Sequence, residues 1–230
     1  MLNDGINGKI DLVVSDRAVT YGDLKGKLDR ALGEKIRAVC IPPCFVRWAK
    51  KYVGDRLKVC MLVDVPGGNE TINAKVCQIR EGLKNGADEF EVAVNINEIK
   101  SGNVDYTFGE LRQLKRASRN RLFKCAIDPR LLSDAETETF CKYALYAKCD
   151  YIALGMPFGG YSALEEVEKI KGLVGKKIKV KAFSSEPSEK FVSEILDGGA
   201  DRVGVISFPK ASAEFEERSG AGEMSAVVTS

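Results

Sequence analysis

The stretch Gly86-Ala87-Asp88-Glu89-Phe90 returns, nearly unchanged, as Gly199-Ala200-Asp201-Arg202-Val203, and in degenerate form as Lys148-Cys149-Asp150-Tyr151-Ile152. Each copy reads as the exit of a helix, a small residue, an aspartate and then the start of an apolar run. Glycine just past a helix end suits the positive φ that often closes a helix there. A recurring helix-to-strand junction implies a recurring strand–helix unit.

Working outward, eight short apolar runs recur, each followed by a helical pattern: 10–14, 38–41, 59–63, 89–94, 123–127, 151–154, 178–182 and 202–206. Most are continuous rather than alternating, as expected of strands covered on both faces. Between them, Val76, Ile79 and Leu83, and again Phe140, Tyr143, Ala144 and Ala147, follow helical spacing. Ser133-Asp134-Ala135-Glu136 reads as a helix start with acidic residues in its first turn. Eight units in 230 residues come to about 28 residues each, near the lower limit for an α/β (β/α)8 TIM barrel. The rival, a flavodoxin-like doubly wound sheet, needs five or six strands, fewer than the runs present. The expectation is a single barrel domain over 1–207. A short last helix around Ala213–Arg218 and a tail would follow within 208–230.

The chain has 35 basic and 33 acidic residues, a balance that points away from nucleic acid as a partner. It has no histidine, which excludes Ser-His or Cys-His nucleophile systems and the commonest zinc sites. Chemistry then falls to Lys, Asp, Glu, Cys, Ser or Tyr, with no cofactor or metal motif in view. Seven cysteines, several inside apolar runs, read as free thiols of a reducing compartment. The polar start Met1-Leu2-Asn3-Asp4-Gly5 lacks an apolar signal region, and no apolar run nears the roughly 20 residues that span a membrane. A cytoplasmic location is the expectation.

In a barrel the active site lies at the C-terminal ends of the strands. There the sequence offers Asp11 in the first run, Asp64 after the third, Glu91 in the fourth with Asn95 and Asn97 beyond, Lys124 and Asp128 in and after the fifth, and Lys181 in the seventh. Desolvation lowers the pKa of a lysine inside a barrel and suits it to imine formation, whereas pairing with a carboxylate makes it structural. Asp11, Glu91, Lys124, Asp128 and Lys181 together amount to more interior charge than a purely structural core carries without reason. Lys179 alternates with Lys181 and is expected on the same face. Loops after the last strands often hold phosphate. Here they offer Ser184, Ser185 and Ser207 as weak candidates, opposed by Glu186. Gly155-Met156-Pro157-Phe158-Gly159-Gly160 is a glycine-rich loop of low specificity, leading to a helix expected near Ser162.

These residues resemble the deoxyribose-phosphate aldolase family. The likeness runs from about Ile10 to Ser207. It is carried by 86–96 with Lys100-Ser101-Gly102-Asn103, by Val39-Cys40-Ile41 with Pro43, Cys44 and Phe45, and by Asp134, Val180-Lys181-Ala182 and 199–204. The resemblance implies a class I aldolase barrel that needs no metal and cleaves 2-deoxyribose 5-phosphate reversibly to glyceraldehyde 3-phosphate and acetaldehyde. It also implies an imine-forming lysine on the sixth strand, a second lysine beside it on the seventh that depresses its pKa, and an aspartate on the fourth that moves protons. Family members are often dimers, so a homodimer is expected.

The sequence departs from that pattern where the chemistry is heaviest. The family's sixth strand reads roughly Asp-Phe-Val-Lys-Thr-Ser-Thr-Gly-Phe; here it is Asp150-Tyr151-Ile152-Ala153-Leu154-Gly155-Met156-Pro157-Phe158. Ala153 takes the place of the imine lysine, and the following hydroxyls are gone. Glu91 replaces the aspartate, Lys181 is kept, and Ser184-Ser185 stand for the glycine pair that binds phosphate. Asp11 matches an early family aspartate, and Gly204 belongs to the retained eighth-strand segment, grouped with the weak phosphate candidates. Three functions follow as expectations. One is an impaired or inactive aldolase-like protein that binds a small phosphosugar or a protein partner. The second is an aldolase that uses Lys181 as its imine lysine. The third is proton abstraction by Glu91, Asp128 and Lys124.

Overall fold

Parallel strands pair in chain order, and the eighth returns to pair with the first, so the sheet closes on itself. The computed structural model describes residues 4–155, 162–184 and 188–207. Among them the strands are β1 (Ile10–Val13), β2 (Ala38–Ile41), β3 (Lys58–Val63), β4 (Glu89–Ala93), β5 (Leu122–Ile127), β6 (Tyr151–Leu154), β7 (Lys179–Ser184) and β8 (Arg202–Val205). The helices are α1 (Asp4–Asn7), α2 (Tyr21–Gly33), α3 (Val46–Val53), α4 (Ile72–Lys84), α5 (Ile96–Lys100), α6 (Val104–Ala117), α7 (Asp134–Ala147), α8 (Leu164–Val174) and α9 (Glu189–Asp197). This is the (β/α)8 barrel that the eight runs imply.

The two-residue period of a strand divides the core into two compartments. Val39, Val59, Phe90, Phe123, Ile152, Val180 and Val203 face outward and pack with the helices. The intervening residues face the barrel interior. Cys40, Cys60, Leu62 and Phe183 form one small interior cluster, and Ala93, Ala126 and Ala153 another.

The repeated junction has a structural explanation. The Asp88 carboxylate accepts the amide of Val59 on the preceding strand at 3.0 Å, Asp150 that of Phe123 at 2.8 Å, and Asp201 that of Val180 at 2.9 Å. Each aspartate ties one strand to the strand before it at the N-terminal face. The junction glycines are needed as well. Gly86 and Gly199 have φ of +90° and +105°, and a Cβ there would stand 2.9 and 3.2 Å from Lys50 and Lys171 side chains.

Helix starts follow capping chemistry. Ser133 caps α7 and closes a capping box with Glu136, as its sequence suggests. The helix expected near Ser162 starts at Leu164, and Ser162 itself has another task. Its hydroxyl donates to the Leu154 carbonyl at 2.9 Å and accepts the Phe183 amide at 3.0 Å, joining the ends of β6 and β7. β7 itself runs to Ser184, two residues beyond its apolar run. All seven cysteines are free thiols. Among the described residues no helix is long and apolar enough to cross a membrane. The expected last helix and tail, Ser185, and most of the glycine-rich loop after Gly155 lie outside the described residues.

Candidate active site

Strand alternation brings six charged side chains into the barrel interior: Asp11, Glu89, Glu91, Lys124, Lys181 and Arg202, each at most 5% exposed. Three carboxylates face three cations, which keeps the cluster neutral. Isolated charges at this depth would be prohibitive, so the geometry of pairing decides whether the cluster stands. Lys124 Nζ lies 2.6 Å from Asp11, 3.0 Å from Glu89 and 3.6 Å from Glu91. Lys181 Nζ lies 2.6 Å from Glu91 Oε2 and 3.5 Å from Asp11 Oδ2. Arg202 holds Glu89 with two nitrogens, at 2.7 and 3.2 Å, and reaches Asp11 at 3.3 Å.

The fields set the protonation. Burial pushes the Asp11 carboxyl up, but Lys124, Lys181 and Arg202 outweigh it and hold the group well below the usual range. For Lys181, burial acts downward, and Cys40, Glu91 and Asp11 act upward and prevail. Burial likewise favours the free amine of Lys124, yet its anionic neighbours raise its pKa. The expectation of a Lys181 pKa lowered by desolvation is therefore corrected. The lysine is buried, but a carboxylate at 2.6 Å makes the ammonium the favoured form.

Gly204 on β8 makes room for this lysine. A Cβ there would sit 2.7 Å from Lys181 Cε and 3.2 Å from Nζ. Gly204 was grouped with phosphate candidates, but it lies inside a strand against Lys181 rather than in a loop. Ser184 ends β7 and is buried, and Ser207 is exposed just beyond β8. Lys179 lies on the same side of β7 as Lys181, two residues nearer the N-terminal end. It opens β7 at the N-terminal face, exposed, with its Nζ 5.8 Å from the centre of the Tyr151 ring.

Ala153 sits at the centre of the arrangement. It is in register with Ala126 on β5 and Lys181 on β7, and it faces inward like Tyr151 two residues earlier. With Ala93 and Ala126 it forms a band of methyl groups beside the ion pairs, where among the described residues the amines are those of Lys181 and Lys124.

Asp128 does not join the cluster. It follows β5 into a loop, where its carboxylate accepts from Arg130 at 2.8 and 2.7 Å and caps a short 3-10 turn. Proton abstraction by Glu91, Asp128 and Lys124 together therefore loses one of its three members. Asp64 and Asn95 also serve structure. Asp64 accepts the Glu70 amide and pairs with Lys75, and Asn95 caps α5. Between the ends of β2 and β3 a cavity of about 150 Å³ opens among Pro42, Leu62, Asp64 and Val65.

Sequence reasoning missed Glu89, Arg202, Cys40 and Cys60. The signal for the first two was present: Glu89 precedes Glu91 by two residues, and Arg202 opens its strand in the repeated junction. Cys40 Sγ lies 3.6 Å from Lys181 Nζ. Cys40, Cys60 and Glu91 bring ligand atoms within 4.8 Å of one another. The Glu91 oxygen is already engaged by Lys181 at 2.6 Å, and Lys124 stands 3.6 Å away. A divalent cation would have to displace an ammonium, so these residues do not fit a metal.

No family model matches the chain. It is 30% identical over 203 residues to a deoxyribose-phosphate aldolase of Clostridioides difficile strain 630, covering 87% of this chain and 92% of that one. It is 31% identical over 193 residues to a deoxyribose-phosphate aldolase of Caldicellulosiruptor saccharolyticus, covering 82% and 88%. Among solved structures it superposes on an aldolase called QR15 with a TM-score of 0.85 at 25% identity, covering 93% of this chain and 97% of that one.

Proposed function

Because the chain belongs to the deoxyribose-phosphate aldolase family, we propose that it is an aldolase-like barrel whose cleavage of 2-deoxyribose 5-phosphate is impaired or absent. It keeps the capacity to bind a small phosphosugar or a protein partner. The observation that carries this reading is Ala153. Its methyl group faces the interior in register with Lys181, where an imine-forming amine is required, and a methyl group cannot form an imine.

The neighbouring amine is a poor substitute. Lys181 is held as an ammonium by Glu91 and Asp11. A lysine with even an ordinary pKa leaves only about one free amine in 2,500 at neutral pH. The family's arrangement uses one lysine to depress another. Here the near partner is a carboxylate, which acts in the opposite direction. Ser184 and Ser185 in place of a glycine pair further weaken phosphate capture by backbone amides. Glu91 and Asp11, with Lys181, are the residues proposed to meet a bound ligand's polar groups.

Acetaldehyde release from 2-deoxyribose 5-phosphate tests the reading. The expected rate is at least a thousandfold below that of the Clostridioides difficile relative assayed alongside. A rate within tenfold of it overturns the proposal. Stabilisation on adding the phosphosugar, measured by thermal shift, is the expected sign of retained binding.

A second reading, catalysis through Lys181, is favoured by one observation. Lys181 is the amine in register beside Ala153 on the neighbouring strand. It requires that Lys181→Met abolish whatever cleavage the chain shows. The assembly proposed is a homodimer, supported by the family assignment. Light scattering after gel filtration is expected to give the mass of two chains, and the mass of one chain contradicts it.

A further inference from the structure

The strongest feature outside the barrel interior lies at the opposite end, where β5, β6 and β7 begin. A groove of about 1070 Å³ runs there between the C-terminal ends of α6, α7 and α8, and its walls carry eight cationic side chains and one carboxylate, Asp150. The whole chain has only two more cations than anions, so this surplus is local. The average that argues against a polyanion partner conceals it.

The number of unpaired cations gathered on one depression sets this sector apart from the rest of the same face. Lys50 lies 2.9 Å from Asp88 and Lys171 2.7 Å from Asp201, while Lys9, Lys35 and Arg37, around the starts of β1 and β2, have no carboxylate within 4 Å among the described residues but line no such groove. In the groove Asp150 is taken by Lys115. Arg119, Lys142, Lys148, Lys176, Lys177 and Lys179 have no carboxylate within 4 Å among the described residues, and all six are exposed. Cations at helix C-termini complement the helix dipole, and that effect is confined to the last turn of each helix. It accounts for roughly one cation per helix, not for six unpaired ones converging on one depression.

We propose that this groove binds single-stranded polynucleotide, with the six unpaired cations tracking phosphates and Tyr146 stacking on a base. Tyr146 is 63% exposed on the groove wall, and a large exposed aromatic beside a cationic track is the combination that recognises unpaired bases. Asn120 adds a hydrogen-bonding side chain on the same wall. A single phosphate would engage only part of such a surface. An acidic peptide would satisfy the charge but make no use of an exposed ring. The groove opens on the N-terminal face, outside the barrel interior that holds the Lys181–Glu91 pair, so the inference does not rest on the aldolase reading.

The test is fluorescence anisotropy of the full chain with a labelled 12-nucleotide oligouridylate. Binding at 50 mM salt is expected to weaken about 50-fold at 200 mM if about four phosphates are neutralised. Lys176→Glu/Lys177→Glu is expected to weaken binding at least tenfold, while the charge-matched Lys51→Glu/Lys190→Glu has less than a threefold effect. Tyr146→Ala is expected to weaken the oligonucleotide and leave displacement of bound probe by inorganic tripolyphosphate unchanged. All these positions are exposed, and unchanged thermal unfolding of each variant checks the fold. The proposal is overturned by an absence of binding at 50 mM salt, or by equal losses in the two double variants. It is also overturned if polyglutamate of equal charge competes as well as unlabelled oligonucleotide.

Discussion

Residue 204 shows how little room the interior has. A Cβ at Gly204 would meet Lys181 Cε at 2.7 Å, so Gly204→Ala must push the lysine off Glu91 or move the strand. The expected cost is about 1–3 kcal/mol in urea unfolding, the range for overpacking a well-filled core. Asp11 gives a pH signature. Its carboxyl is held below its unfolded value, so its stabilisation is present above about pH 4 and is lost as pH falls toward the folded pKa. Asp11→Asn is expected to be less stable at pH 7, and the gap from the unmodified protein should narrow steadily below about pH 4. A gap that stays constant down to pH 2 contradicts the assignment. Position 153 lies in register with Lys181 and packs with the methyls of Ala93 and Ala126. Ala153→Lys is expected to give a borohydride-trapped adduct on the introduced lysine, since its ammonium and that of Lys181 each favour deprotonation of the other. Weak phosphate capture by Ser184-Ser185 should keep KM high. An absence of any adduct contradicts the view that the surrounding cluster is otherwise intact.

At the scale of elements, Lys75 matters more than its position in α4 suggests. It is fully buried, and its Nζ donates to the carbonyls of Gly68 and Ala93 at 2.8 Å each and to Glu110 at 2.7 Å. Glu110 in turn accepts the Asn95 amide. One lysine thereby ties α4 and α6 to the chain leaving β3 and β4, at the end of the barrel where Glu91 and Lys181 work. Lys75→Met leaves Glu110 and two carbonyls buried without their partner. The expected loss is about 3–5 kcal/mol by urea unfolding. The strands were legible because continuous apolar runs admit few other readings, and the repeated Gly-Ala-Asp junction marked where units join. Lys75 was not legible. A lysine at a helical position reads as solvent-exposed unless the packing of two other elements around it is known. The start of α8 was legible to within two residues, but that the Ser162 hydroxyl joins β6 to β7 rather than capping its own helix was not.

At the scale of the molecule, the barrel wall separates two chemistries that meet at Tyr151, which lines the groove and carries Arg202 of the interior cluster 4.9 Å from its ring centre. The interior carries a balanced cluster of ion pairs, and the N-terminal face carries an unbalanced one. Asp11, Glu91, Lys124 and Lys181 could be brought together on paper because each falls at an inward position of its strand. Asp128 could not be told from them, since it lies one residue past a strand end, where the inward–outward alternation stops. Glu89 and Arg202 belong to the same inward set and add one charge of each sign, so the balance of the shorter set is kept. The basic groove was invisible to composition, because counting charges along the chain averages over faces that only folding separates.

The central claim is that Ala153 leaves the barrel without an amine able to form the imine. Incubation with 2-deoxyribose 5-phosphate and borohydride, followed by intact-mass and peptide mapping, tests it most directly. The account predicts an unchanged mass under conditions that fully label the Clostridioides difficile relative. A stoichiometric adduct on Lys181, lost in Lys181→Met, would contradict it.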